Sequence, residues 1–135
     1  MLDHGGALEA LDEAECRELL CGARIGRVGV TVGGLPVILP VHYSWTDGDI
    51  LFRTGEGTKS RAAMDAAVIA FEVDSYDEPG GKGWIVLAVG RAYEVTDRDA
   101  LDDAERLDLV PWADGGPHYW VRMRPEFISG RRTPG

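Results

Sequence analysis

The stretch Leu35-Pro36-Val37-Ile38-Leu39-Pro40-Val41-His42-Tyr43-Ser44-Trp45 reads as a β-strand. Side chains of a strand point alternately to its two faces. Val37, Leu39, Val41, Tyr43 and Trp45 therefore share one face, and Ile38, Pro40, His42 and Ser44 share the other. The residues on either side extend the pattern. Arg24 to Val32 is a run rich in Val and Ile, joined to the first by Gly33-Gly34, a hairpin turn signal. Thr46-Asp47-Gly48-Asp49 is a second tight turn, and Ile50 to Arg53 a short third strand. The three should form an antiparallel meander.

The rest of the chain adds strands more than helices. Val68 to Asp74 reads as a strand, and Glu78 to Gly83 as a loop. Trp84 to Val95 is a long strand interrupted by Gly90, where a bulge or bend is expected. Tyr119 to Ser129 is the last strand; Pro125 within it requires an edge or a bulge. Three short helices are expected. The first runs from Asp12 to Cys21, with Asp12 as N-cap and Glu15 at the reciprocal capping position. The second covers Thr58 to Met64, and the third Thr96 to Leu109. Residues 1–10 form a loose tail and 11–135 one domain. Six strands joined mostly by tight turns, with glycine bends, favour a small closed barrel over an open sheet.

The 135 residues are 44% hydrophobic and 27% charged, a globular composition. No apolar run approaches the roughly 20 residues of a membrane helix. The start of the chain has no basic segment or apolar core of a secretory signal, so a cytoplasmic location is the default expectation. The formal net charge of −9 disfavours duplex nucleic acid and anionic membranes as main partners. The charge is uneven, however. Residues 94–114 carry eight acids and two arginines, whereas residues 53–61 carry three bases and one acid. Residues 119–135 carry four arginines and one acid. Local basic patches on an acidic protein suit a small anionic ligand. Cys16 and Cys21 are five apart on one helix and point in different directions, so neither a redox pair nor a metal pair is expected. The three histidines lack metal-binding spacing, and no metal is expected.

One run carries the chemistry: Arg53-Thr54-Gly55-Glu56-Gly57-Thr58-Lys59-Ser60. A strand ends at Arg53, two glycines shape a turn, and a helix opens at Thr58. Glycines let backbone amides approach an anion closely, and a helix start supplies unpaired N–H groups. Arg53 can contact phosphate with two donors, and Lys59 adds a point charge. Thr54, Thr58 and Ser60 offer hydroxyls. The run is not a Walker A loop, because Thr58 separates Gly57 from Lys59, and it lacks the third glycine of a dinucleotide fingerprint. From the residues alone it is equally a polar β–α loop leading into a capped helix.

Several stretches together resemble the pyridoxamine 5'-phosphate oxidase-like, FMN-binding split-barrel family, and its small actinobacterial-type members in particular. They are Ile25 to Val30, Leu35 to Tyr43, Ile50 to Thr54, Gly57 to Lys59, Ala70 to Asp74, Gly83 to Ala92 and Val121 to Pro125. The resemblance covers about 110 residues. It implies a six-stranded antiparallel split barrel with a few short flanking helices, and a homodimer with FMN in the groove between barrels. It places Arg53, Thr54, Thr58 and Lys59 at the phosphate and ribityl chain, with Ser60 of the same run a further cofactor-binding candidate, and Pro40, Val41 and His42 near the isoalloxazine; His42 is alternatively a hydrogen-bonded structural histidine. The strand at Trp84 to Val86 and the C-terminal strand would reach the flavin from the partner. The activity it implies is oxidoreduction of a small molecule, with the deazaflavin F420 as alternative cofactor. A non-catalytic flavin- or ligand-binding protein is the alternative function.

Other candidates are less specific. Trp84 and Trp120 could flank the flavin or the dimer seam, or pack in the core. Trp112 could roof a pocket or pin its loop. His118, in the loop before the last strand, could touch a ligand, and His4 lies in the tail. Arg122 and Arg124 share a strand face, where they could hold an anion or pair with the acidic helix at residues 97–108.

Overall fold

The computed structural model describes residues 8–55, 58–109 and 118–134, with the backbone alone at 58–60. Its strands are β1 (Glu9–Ala10), β2 (Ile25–Val32), β3 (Leu35–Thr46), β4 (Asp49–Gly55), β5 (Val68–Asp77), β6 (Lys82–Glu94) and β7 (His118–Arg132). Its helices are α1 (Glu13–Gly22), α2 (Thr58–Met64) and α3 (Arg98–Glu105). Every strand pairing is antiparallel. The order is β1-β7-β4-β3-β2-β5-β6, and β6 also pairs with β7. That last pairing closes β2 to β7 into a six-stranded ring. Residues 9 and 10, which sequence assigned to the loose tail, instead pair with Arg132 and Arg131 as a short seventh strand.

The turns follow from their residues. Gly33 and Gly34 both adopt positive φ, as do Asp47 and Gly48. Two successive positive-φ residues match the twist of a two-residue hairpin. Asp12 and Glu15 cap α1 reciprocally, at 2.8 and 3.2 Å. Asp97 caps α3 through Ala100, at 3.0 Å, and the helix ends four residues before the expected Leu109. The expected loop at Glu78 to Gly83 is the tight end of the β5–β6 hairpin.

The interrupting residues act together. The β6–β7 register shifts between Val89 and Gly90, and Gly90 lies opposite Pro125. A side chain at 90 would stand 2.2 Å from the Arg124 carbonyl oxygen. The glycine and the proline are thus two halves of one bulge. β7 is not an edge strand: it is paired on both sides from Val121 to Met123.

Alternation fills the ring. Val28, Val41, Tyr43, Ile50, Phe52, Phe71, Val86 and Met123 are buried inside it, and Cys16 and Leu20 of α1 pack on the same core. The Tyr43 hydroxyl donates to the Leu20 carbonyl at 2.5 Å, tying the helix to the barrel. Burial pushes the Tyr43 phenol well above its ordinary range and raises the Cys16 thiol. Among the described residues, no helix is long and apolar enough to cross a membrane.

Candidate functional site

The site lies where two strands part. The β3–β4 ladder runs from Thr46–Asp49 to Tyr43–Phe52 and stops. His42 and Arg53 are the next residues on the two limbs of this fork. Phe52 and Thr54 are buried on the inner face of β4, so alternation sends Arg53 outward. The same rule sends His42 and Pro40 outward on β3, while Val41 is buried in the core.

On its other side β4 pairs with β7. Arg53 lies opposite Trp120, Thr54 opposite Tyr119 and Gly55 opposite His118. The Arg53 guanidinium sits over the Trp120 ring, 5.8 Å from its centroid. The indole is itself fixed: its Nε1 donates to Glu105 Oε2 at 2.7 Å, and it packs with Val95, Ala104 and Leu109. Trp120 therefore supports Arg53 and offers no bare stacking surface. Arg53 Nε is buried and has no hydrogen-bond partner among the described residues. A buried donor of this kind is costly unless something accepts from it. Arg61 nearby is already committed, with Nε and Nη2 on the two Glu94 oxygens at 2.8 and 2.5 Å.

The structure brings some expected residues together and separates others. Pro40, His42 and Arg53 share the outer face at the fork. The Thr54 and Val41 side chains point into the barrel instead, because each is one residue out of phase. Thr58, Lys59 and Ser60 open α2, three residues beyond Gly55; their side chains, like Gly57, lie outside the described residues. Trp84 pairs with Arg132 at the far end of β7 from Trp120. It lines a separate cleft of about 600 Å³ with Leu11, Glu18, Leu19 and Lys82. One copy of the chain cannot place Trp84 and Trp120 on the same small ligand. His42 lines a cleft of about 340 Å³ with Arg24, Ser44, Trp45 and Leu107. His4 and Trp112 lie outside the described residues.

Arg122 and Arg124 do not pair with the acidic helix among the described residues. Both turn to Asp49 at the start of β4, at 3.6 and 2.7 Å. The hydrogen bond and charge of Asp49 hold the Arg124 guanidinium above its ordinary value. Sequence patterning could not find this pair, since Asp49 reads only as a turn residue. His118, expected in a loop, is the first residue of β7.

An antiparallel ring opened by a fork, with a buried arginine nitrogen unpartnered among the described residues beside it, defines a split β-barrel. The chain belongs to the pyridoxamine 5'-phosphate oxidase family, whose model matches residues 12–132. It is similar to an uncharacterized protein of Mycobacterium tuberculosis, Rv0080, at 35% identity over 127 residues, covering 90% of this chain and 83% of that one. Among solved structures it resembles the FAD binding protein from Mycobacterium smegmatis, with 36% identity and a TM-score of 0.77. That alignment covers 93% of this chain and 100% of the other. An FAD-binding protein from Mesorhizobium loti, 24% identical with a TM-score of 0.74, shares the fold over 95% of this chain and 98% of its own.

Proposed function

We propose that this chain is a flavoprotein that binds FMN at the fork and uses it to oxidise or reduce a small molecule. The observation that carries the reading is the buried, partnerless Nε of Arg53 on the outer face of β4. A phosphate oxygen is the acceptor that such a group fits, and charge-assisted contacts of this type are strong. Trp120 fixes the guanidinium from below, so little side-chain freedom is lost when the anion arrives. Thr58, Lys59 and Ser60 follow in sequence to complete the grip, and Gly55 keeps the approach clear. Pro40 and His42, with the backbone at Val41, form the limb along which the ring system lies.

The flavin, when bound, supplies the hydride and electron chemistry. The chain's own residues bind its phosphate, orient its ring and restrict water.

A homodimer completes the groove. Register partners Ile38, Gly29, Ala70, Val89 and Phe127 make one apolar row across five strands. They face outward, and Ile38 and Phe127 are 73% and 72% exposed. An exposed apolar surface of this kind suits a second copy of the chain. A second copy could also carry its Trp84 toward the flavin, which the first copy's Trp84 cannot reach.

FAD is a second reading, favoured by the name of the 36% identical structural relative; F420 is a third, and pure storage or sensing a fourth. One preparation separates them. The purified protein is denatured, and the released chromophore is separated by chromatography. FMN supports the leading reading, and FAD or F420 replaces it. Adding NAD(P)H or reduced F420 with an electron acceptor then reads turnover. A colourless protein that takes up no flavin on titration overturns the proposal.

A further inference from the structure

His118 Nδ1, like Arg53 Nε, is buried without a hydrogen-bond partner among the described residues. The β4–β7 ladder explains why the two face the same way. Paired residues share a face of the sheet, and the face repeats every second residue. Arg53 pairs with Trp120 and Gly55 with His118, so these four occupy one outer face. Arg53 and His118 lie on its diagonal, about 7–8 Å apart at the backbone. Trp120 fills the third corner beneath the guanidinium. The fourth corner is Gly55, from which no side chain rises.

The carboxylates around His118 are engaged elsewhere. It lines a cleft of about 410 Å³ with Arg61, Glu94, Glu105 and Trp120. Both Glu94 oxygens accept from Arg61, and Glu105 Oε2 accepts from the Trp120 indole. Among the described residues, none hydrogen-bonds the His118 Nδ1.

We propose that His118 is a second phosphate-binding residue of this site, its Nδ1–H donating to the group that Arg53 Nε–H holds. The inference rests on the flavin reading above and adds to it a residue and a protonation: Nδ1 carries the proton in the bound state. An imidazole offers such a donor either as the Nδ1–H tautomer or as the cation. A tetrahedral anion seated over Gly55 meets both donors with separate oxygens.

The test compares FMN with riboflavin, which lacks the phosphate, by calorimetric titration of the full chain. His118→Leu should weaken FMN about tenfold, the value of one such hydrogen bond, and leave riboflavin unchanged. His118→Asn, which keeps a donor near the Nδ1 position, should recover most of the loss. Equal weakening of both flavins, or of neither, overturns the proposal. If the unaltered protein binds neither flavin, the flavin reading fails on its own. Inorganic phosphate then decides the role of His118. A phosphate-dependent shift of its imidazole ¹⁵N resonances, abolished in Arg53→Gln, supports it, and no shift overturns it. This second measurement uses the unaltered chain, so it stands if the Leu variant fails to fold.

Discussion

Gly26 lies directly against the ring of Phe71: a Cβ at position 26 would stand 2.2 Å from Phe71 Cζ. Phe71 in turn meets Tyr43 edge-on, with ring centroids 4.7 Å apart, and Tyr43 holds the Leu20 carbonyl of α1. One missing side chain thus seats an aromatic pair and, through it, the helix. Gly26→Val should destabilise the fold by about 1–3 kcal/mol, the usual cost of overpacking. The midpoint of urea unfolding reads the loss. An unchanged midpoint would show that Phe71 moves aside freely.

Replacing Arg53 by Ala should weaken FMN binding by about 1–3 kcal/mol, with Lys59→Ala similar. Arg53→Ala also uncovers the Trp120 ring, so part of its effect is on folding. Thermal unfolding of the unliganded variants separates the two contributions. Fluorescence titration that finds unchanged affinity in both variants would refute the phosphate assignment.

Arg27 bridges two carboxylates, Glu72 at 2.7 Å and Asp74 at 3.2 Å. Even so, the Glu72 carboxyl is pushed up to about 7, first by burial and then by its hydrogen bond with Asp74; the pull of Arg27 is the smaller effect. The folded value lies above the unfolded one, so the folded state binds the proton more tightly. Stability from this group is present in acid and is lost as pH rises towards and through 7. Glu72→Gln should flatten the stability profile between about pH 4.5 and 7, the span set by the ordinary and raised values. Denaturation midpoints across that range check it, and an unaltered slope in the variant would count against the assignment.

Ile38→Glu or Phe127→Glu should convert the proposed dimer to monomer, because each puts a charge into an apolar contact. Sedimentation velocity of the two variants against the unaltered chain gives the answer. A dimer that survives both changes uses another surface.

Much of this was legible in the sequence because it depends on local rules. The alternation from Leu35 to Trp45, the glycine pairs of the hairpins and the Asp12–Glu15 cap each involve residues close in the chain. The bulge at Gly90 was legible as well, and so was the need for an irregularity at Pro125. That the two positions meet was not, since the ladder joining them spans 35 residues of sequence. Register also explains the weak points of the site assignment. Arg53 and Thr54 are adjacent, and so are Val41 and His42. Which member of each pair faces the groove depends on the phase of the strand, and a motif read as a continuous run ignores phase. The pairing of Arg122 and Arg124 with Asp49 and the diagonal of Arg53 and His118 arise only when β4 lies beside β7.

The fork has a consequence for the company the protein keeps in a crowded solution. Past it, residues 35–42 of β3 are paired with β2 alone among the described residues. A half-paired strand is a template on which a stray chain can add itself and begin an aggregate. This run carries Pro36 and Pro40, and a proline has no amide hydrogen to offer an arriving strand. The opening proposed to admit a ligand thereby discourages β-sheet growth, and Pro36→Ala with Pro40→Ala should shorten the lag before fibril-dye fluorescence rises.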